Sequence, residues 1–153
     1  MKISQLLKKE LIKLEIDSQD KESAIAELTE LMRNNPEVID ADVFLQNVYE
    51  REQLGSTGVG EGIALPHARS IGIKQLVIVF GRSTQGVEFA ALDANPVQLI
   101  FLIATPKNDV GNYLKTLAHL SRMLRKEYFR KKLLSVTSSD EVLKAFEEME
   151  QET

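Results

Sequence analysis

Cysteine is absent, and histidine occurs only at positions 67 and 119. The first absence removes a disulfide framework, a thiolate nucleophile and any cysteine-bound metal. Two histidines, with no further histidine or cysteine near His67, make a poor zinc site, so neither a metal nor another cofactor is expected. Long apolar runs are missing as well. No stretch approaches the roughly 20 residues of a membrane span, and the opening MKISQLLKKELIKLEI is broken by Lys8, Lys9, Glu10 and Lys13. Neither membrane insertion nor secretion is expected, which points to the cytoplasm. A large charge imbalance is lacking too. The formal net charge of −4 gives no global attraction to nucleic acid. The local basic cluster RMLRKEYFRKK, from Arg122 to Lys132, reads as a solvated helix face or as a dock for an acidic partner. Repeats, linkers and low-complexity segments are also absent.

What is present describes one α/β domain over residues 1–153. Hydrophobic residues at 43% and charged residues at 27% are ordinary for a globular chain with one core. Ala24, Ile25, Leu28, Leu31 and Met32 recur at helical spacing until the breaker NNP. A second helix is expected from a cap at Asp40, with Val43, Phe44 and Val48 inward, to a stop near Gly55 that leaves Arg51 in its last turn. The short, β-branched runs LVIVF (Leu76 to Phe80) and VQLIFLIA (Val97 to Ala104) fit strands covered on both faces, with VEF between them as a further short strand. After Pro106 a helix carries Tyr113, Leu114, Leu117, Leu120 and Leu124 on one stripe, with His119 on the solvated side. Ser138 or Ser139 caps a last helix anchored by Val142, Leu143 and Phe146.

The stretch GSTGVGEGIALPHARS, Gly55 to Ser70, concentrates the chemistry. Gly55, Gly58, Gly60 and Gly62 leave amide N–H groups open to close approach, and Ser56 and Thr57 add hydroxyl donors. Pro66 biases Leu65 towards extended backbone, so IALPH reads as a strand delivering His67 at its end. A neutral imidazole there can act as base, metal ligand or nucleophile, or be a hydrogen-bonded structural residue. GVGEG matches neither the dinucleotide fingerprint nor the P-loop, since no GK[ST] follows.

Arg51-Glu52, GSTGVGEGIALPH, YLKTLAHLSRML and SSDEVL together resemble the fructose/mannitol-type enzyme IIA domain of the bacterial sugar phosphotransferase system. The resemblance implies a mixed, mostly parallel sheet flanked by helices on both faces. It makes His67 the residue that takes a phosphoryl group from the carrier HPr and passes it to a cysteine of an enzyme IIB, with Arg51 as the active-site arginine. Ser56, Thr57, Gly58, Gly60, Gly62 and Tyr113 are then the expected phosphate-binding groups. A regulatory, nitrogen-related enzyme IIA acting by phosphorylation-dependent protein binding shares these motifs. Two positions depart from the family. Tyr113 stands where it commonly has a second histidine, either as a phosphate donor or as a core residue. Glu61 stands where asparagine is common, and a carboxylate beside phosphate would repel it unless turned outward.

Overall fold

Alternation along two strands organises the molecule, for which a computed structural model describes residues 2–151. In β5 (Val77–Val87) and β6 (Val97–Pro106) successive side chains enter opposite faces of one sheet. Ile78, Phe80, Leu99, Phe101 and Ile103 belong to one buried cluster. Val77, Val79, Ile100, Leu102 and Ala104 belong to the other. The first cluster is closed by α1 (Ile3–Leu6), α4 (Val110–Leu124), α5 (Glu127–Ser135) and α6 (Ser139–Gln151). The second is closed by α2 (Lys21–Met32) and α3 (Ala41–Gln53). Covering on both faces is why neither strand shows a polar stripe.

The sheet has six strands, ordered β1-β5-β6-β3-β2, with β4 also on β6. Besides β5 and β6 these are β1 (Leu7–Lys13), β2 (Gly58–Gly60), β3 (Ile63–Ala64) and β4 (His67–Ser70). Three pairings are parallel, β1 with β5 and both β3 and β4 with β6; β5 with β6 and β2 with β3 are antiparallel. The mixed sheet with helices on both faces is the architecture expected from the motifs. Phe80 stands opposite Phe101 across β5 and β6, their rings stacked at 4.6 Å, and Phe146 meets Phe101 edge-on at 5.9 Å. Such pairs add about 0.5–1.5 kcal/mol beyond burial alone.

Several expectations change in detail. The segment VEF is no separate strand, because β5 runs on through Gly86 to Val87. His67 does not end a strand: it begins β4, after a break at Leu65-Pro66. Leu114 lies off the buried stripe, 56% exposed, while Thr116 and Met123 join Leu120 and Leu124 inside.

The start of α3 is pinned at both levels. Asp40 caps it by accepting from the amides of Asp42 and Val43, both at 3.1 Å. The carbonyl of Gly72, between β4 and β5, accepts from Ile39 and Asp40 at 2.7 and 3.0 Å. A Cβ on Gly72 would stand 2.4 Å from the Asp40 carbonyl oxygen, backbone that cannot swing aside. Gly72→Ala should therefore cost about 1–3 kcal/mol. Thermal unfolding should shift down by about 2–12 °C; an unchanged melting temperature would show that this junction yields freely.

Candidate active site

Strand parity places the imidazole. His67 pairs with Ile103 and Arg69 with Thr105 in the parallel ladder to β6, so the two side chains share one face of β4. Alternation along the extended chain puts them on the side of Leu65 and Ile103, where α4 packs. His67 and Arg69 line an open cavity of about 620 Å³ together with Arg51, Lys107, Asn108 and Tyr113. The tail of α3, with Glu50, Arg51 and Leu54, forms its other wall.

The hydrogen bonding of His67 assigns its tautomer. Nδ1 lies 2.7 Å from the Leu65 carbonyl oxygen. A carbonyl only accepts, so Nδ1 carries the proton and Nε2 of the neutral ring keeps its lone pair. That carbonyl is available because the chain leaves the ladder at Leu65-Pro66: the Leu65 amide donates to Thr57 O at 3.0 Å, while Ile103 N donates to Pro66 O at 3.0 Å. Burial lowers the His67 pKa, the Leu65 bond opposes that, and the charge of Arg51 lowers it further, for a net fall below 6.5.

The cations around the ring are arranged rather than loose. Arg51 donates to Gly55 O at 2.9 Å, which fixes the guanidinium at the end of α3. Arg69 donates to Lys107 O at 3.4 Å, and its Cζ lies 6.0 Å from the centre of the Tyr113 ring. That ring stands 5.3 Å from the imidazole at 61°. Burial raises the Tyr113 pKa against the opposing pull of Arg51 and Arg69, so the phenol is a neutral donor. Tyr113 is thus in the cavity and not within the core clusters.

The glycine loop has other work. Ser56 donates to Phe89 O at 2.8 Å and accepts from Gly58 N at 3.0 Å. Thr57 is buried, its amide donating to Glu52 at 3.2 Å. Gly60 and Gly62, at φ +98° and +75°, turn the β2–β3 hairpin and line cavities with Arg130 instead of the one at His67. The expected cradle of Ser56, Thr57, Gly58, Gly60 and Gly62 is therefore not assembled around the ring: these residues build the hairpin that carries it. Glu61 sits in that turn at φ +58°, a conformation in which asparagine is well tolerated, and faces Arg130 at 3.5 Å. It is outward, away from the cavity at His67. His119 is not simply solvated: it is half-buried, and its Nε2 is 2.7 Å from the buried Glu150 carboxylate. Of the cavity's cations, Arg69 and Lys107 were not anticipated, although the two-residue offset of Arg69 from His67 in a strand is signal enough to find it.

Residues 5–149 match the family model described as "Phosphoenolpyruvate-dependent sugar phosphotransferase system, EIIA 2". The fructose-specific EIIA component of Haloferax volcanii is 39% identical over 92% of this chain and 91% of its own length. The fructose-specific EIIABC component of Bacillus subtilis is 38% identical over 94% of this chain, which spans 22% of that protein. Among solved structures, nitrogen regulatory protein IIA-Ntr from Neisseria meningitidis superposes with a TM-score of 0.86 at 32% identity, over 94% of this chain and 98% of that one. The complex of enzyme IIAMTL with phosphorylated enzyme IIBMTL from Escherichia coli gives 0.79 at 27% identity, over 93% and 97%.

The tautomer and burial of His67 make one direct prediction. In a nitrogen-15 NMR titration the His67 ring should stay neutral below pH 6.5, with Nδ1 protonated and Nε2 free. A midpoint at or above 6.5, or a proton on Nε2 in the neutral form, would contradict this geometry.

Proposed function

The chain belongs to the EIIA 2 family of the phosphoenolpyruvate-dependent sugar phosphotransferase system, and we propose that His67 is its phosphoryl acceptor, loaded by the phosphohistidine of HPr and unloaded onto a cysteine of an enzyme IIB. Residues 1–153 act in this reading as one enzyme IIA domain, working in the cytoplasm where those partners meet it. The observation that carries the proposal is the Leu65 carbonyl on Nδ1, which leaves Nε2 as the nucleophile beside three cations, Arg51, Arg69 and Lys107.

In the first step the Nε2 lone pair forms a P–N bond as the donor's P–N bond breaks and its electron pair returns to the donor ring. No proton need leave His67 first, because the attacking Nε2 carries none and the ring's proton stays on Nδ1, hydrogen-bonded to the Leu65 carbonyl. Phosphoryl transfer needs mainly positioning and compensation of charge. Three cations against the single carboxylate of Glu50 supply the compensation. Tyr113 stands where the family commonly has a second histidine, and it donates one neutral hydrogen bond where an imidazolium would add charge. In this reading Arg69, packed over the Tyr113 ring, provides the positive charge instead. In the second step a cysteine thiolate attacks phosphorus and the pair returns to Nε2. The Escherichia coli IIAMTL–IIBMTL complex, of the same fold, supports such a partner. A regulatory role has its own support in the likeness to the Neisseria meningitidis IIA-Ntr structure. Transfer of label from this protein to the IIB of a fructose or mannitol system favours uptake; labelling by HPr with no onward transfer to any IIB favours regulation.

Incubation with phosphorylated HPr should label the wild type with an acid-labile, base-stable phosphate, and His67→Ala should abolish labelling while His119→Ala should not. Equal labelling of the wild type and a folded His67→Ala protein would remove the proposal.

The charge assignment predicts an order of effects on the labelling rate. Arg51→Ala and Arg69→Ala each remove a charge-assisted contact worth about 1.5–3 kcal/mol, which is roughly ten- to a hundredfold. Tyr113→Phe removes a neutral one, about 0.5–1.5 kcal/mol, or up to about tenfold. A normal rate in folded Arg69→Ala would assign the compensation to Arg51 and Lys107 alone.

A further inference from the structure

A second cationic cavity lies on the flank of α4, beside its buried stripe. It measures about 400 Å³ and is lined by Lys2, Asn112, Lys115, Thr116, Ala118, His119 and Arg122. Asn112, Lys115, His119 and Arg122 follow at spacings of three and four residues, which puts them on one side of the helix. Ala118, small and exposed, leaves the surface concave between the long side chains of Lys115 and Arg122.

Lys2 reaches the same cavity because the amino-terminal segment is clipped in place. The Glu150 carboxylate accepts from Ile3 N at 2.8 Å and Ser4 N at 2.9 Å, and bonds His119 Nε2 at 2.7 Å. One buried group therefore holds Lys2 and His119 on either side of a shared space. Both of its oxygens are engaged, and no carboxylate lines the cavity.

What sets this arrangement apart is that its cations converge on one concavity that no carboxylate lines. Lys9, Lys13, Lys21, Arg33, Arg130 and Lys131 each face a carboxylate within 4 Å. Among the described residues Lys2, Lys115 and Arg122 form no ion pair, in a chain whose acids outnumber its Lys and Arg by 23 to 19. Three unpaired cations around a polar concavity attract a compact multivalent anion. Arginine supplies a planar fork for phosphate oxygens, and lysine a compact point charge. Asn112 and Thr116 add neutral polar groups suited to hydroxyls or further oxygens. The concave shape favours a small ligand over a protein surface, and the volume lies in the range of small-molecule sites.

We propose that this cavity, between Lys2 and the Lys115, His119 and Arg122 face of α4, binds a small phosphate-bearing anion at a site separate from His67. A ligand there would also brace α4, whose residue Tyr113 adjoins Asn112 and borders the His67 cavity.

The test is a two-dimensional nitrogen-15 NMR titration of the unphosphorylated full chain with pyrophosphate, at constant ionic strength kept with sodium chloride. Saturable shifts are expected at the amides of Lys2 to Ser4 and Lys115 to Arg122. The Lys115→Ala, Arg122→Ala double variant should weaken that binding roughly a hundredfold or more, each lost charge-assisted contact being worth about a decade or more. Arg69→Ala should leave it unchanged, which separates this site from the one at His67. Three results would overturn the proposal: shifts confined to His67, Arg69 and Lys107; identical shifts with chloride alone; or unchanged affinity in the folded double variant. A fourth would do so as well: no saturable shifts with pyrophosphate but saturable binding of hexaglutamate at the same amides, which would assign the face to an acidic protein.

Discussion

One strand edge decides where the imidazole can be. β6 is paired on one side by β5, and on the other side β3 and β4 follow one another along it, from Ile63 opposite Leu99 to Ser70 opposite Pro106. Leu65-Pro66 spans the break between them. Because the chain leaves the ladder there, the Leu65 carbonyl is free of strand pairing and accepts a hydrogen bond from Nδ1 of His67. The two-residue period then carries His67 and Arg69 to the α4 side and Ala68 to the α3 side. Position, tautomer and neighbouring charge of the ring all derive from the pairing of a few residues with β6.

Electrostatics around the ring balance two opposed demands. A nucleophilic imidazole must be neutral, and burial with a nearby guanidinium keeps it so. In the proposed transfer the same guanidinium also attracts the incoming phosphoryl group. The cations offered to that group are tethered to carbonyls, Arg51 to Gly55 and Arg69 to Lys107, so the proposed binding leaves little ordering to be done. Tyr113 fits this scheme as a spacer whose ring contacts both the imidazole and Arg69.

The long periodic segments were legible in the sequence, and the site only in part. Asp40 as a cap, the two apolar strands and the helices around Leu28, Leu120 and Phe146 follow from period and capping alone. The first strand is hidden because β1 bulges: Leu7 pairs with Ile78 and Ile12 with Phe80, so five residues answer two and the alternation is lost. His67 and Arg51 were visible as motif residues. The glycine loop misled, because glycines that turn a hairpin and glycines that open a ligand cradle look alike until the amide partners are known. His119 misled for a related reason. Its helical phase does point away from the apolar stripe, but in that direction the ring also meets Glu150 of α6 and is half-buried.

Arg51 and Glu52 show how adjacent residues at a helix end divide structure from chemistry. Arg51 lines the cavity, while Glu52, one step of about 100° around the helix, is buried. There Glu52 meets Lys21 of α2 at 3.1 Å and receives the Thr57 amide at 3.2 Å. A buried carboxylate is costly unless paired and hydrogen-bonded, so this one fixes α2, the end of α3 and the start of β2 relative to one another. Thr57 in turn receives the amide of Leu65, whose carbonyl holds the ring. The chain Lys21, Glu52, Thr57, Leu65, His67 is thus a continuous set of hydrogen bonds and one ion pair from the second helix to the imidazole. The arginine beside Glu52 is held by the same helix end, so one anchorage places both the cation and the ring that line the cavity.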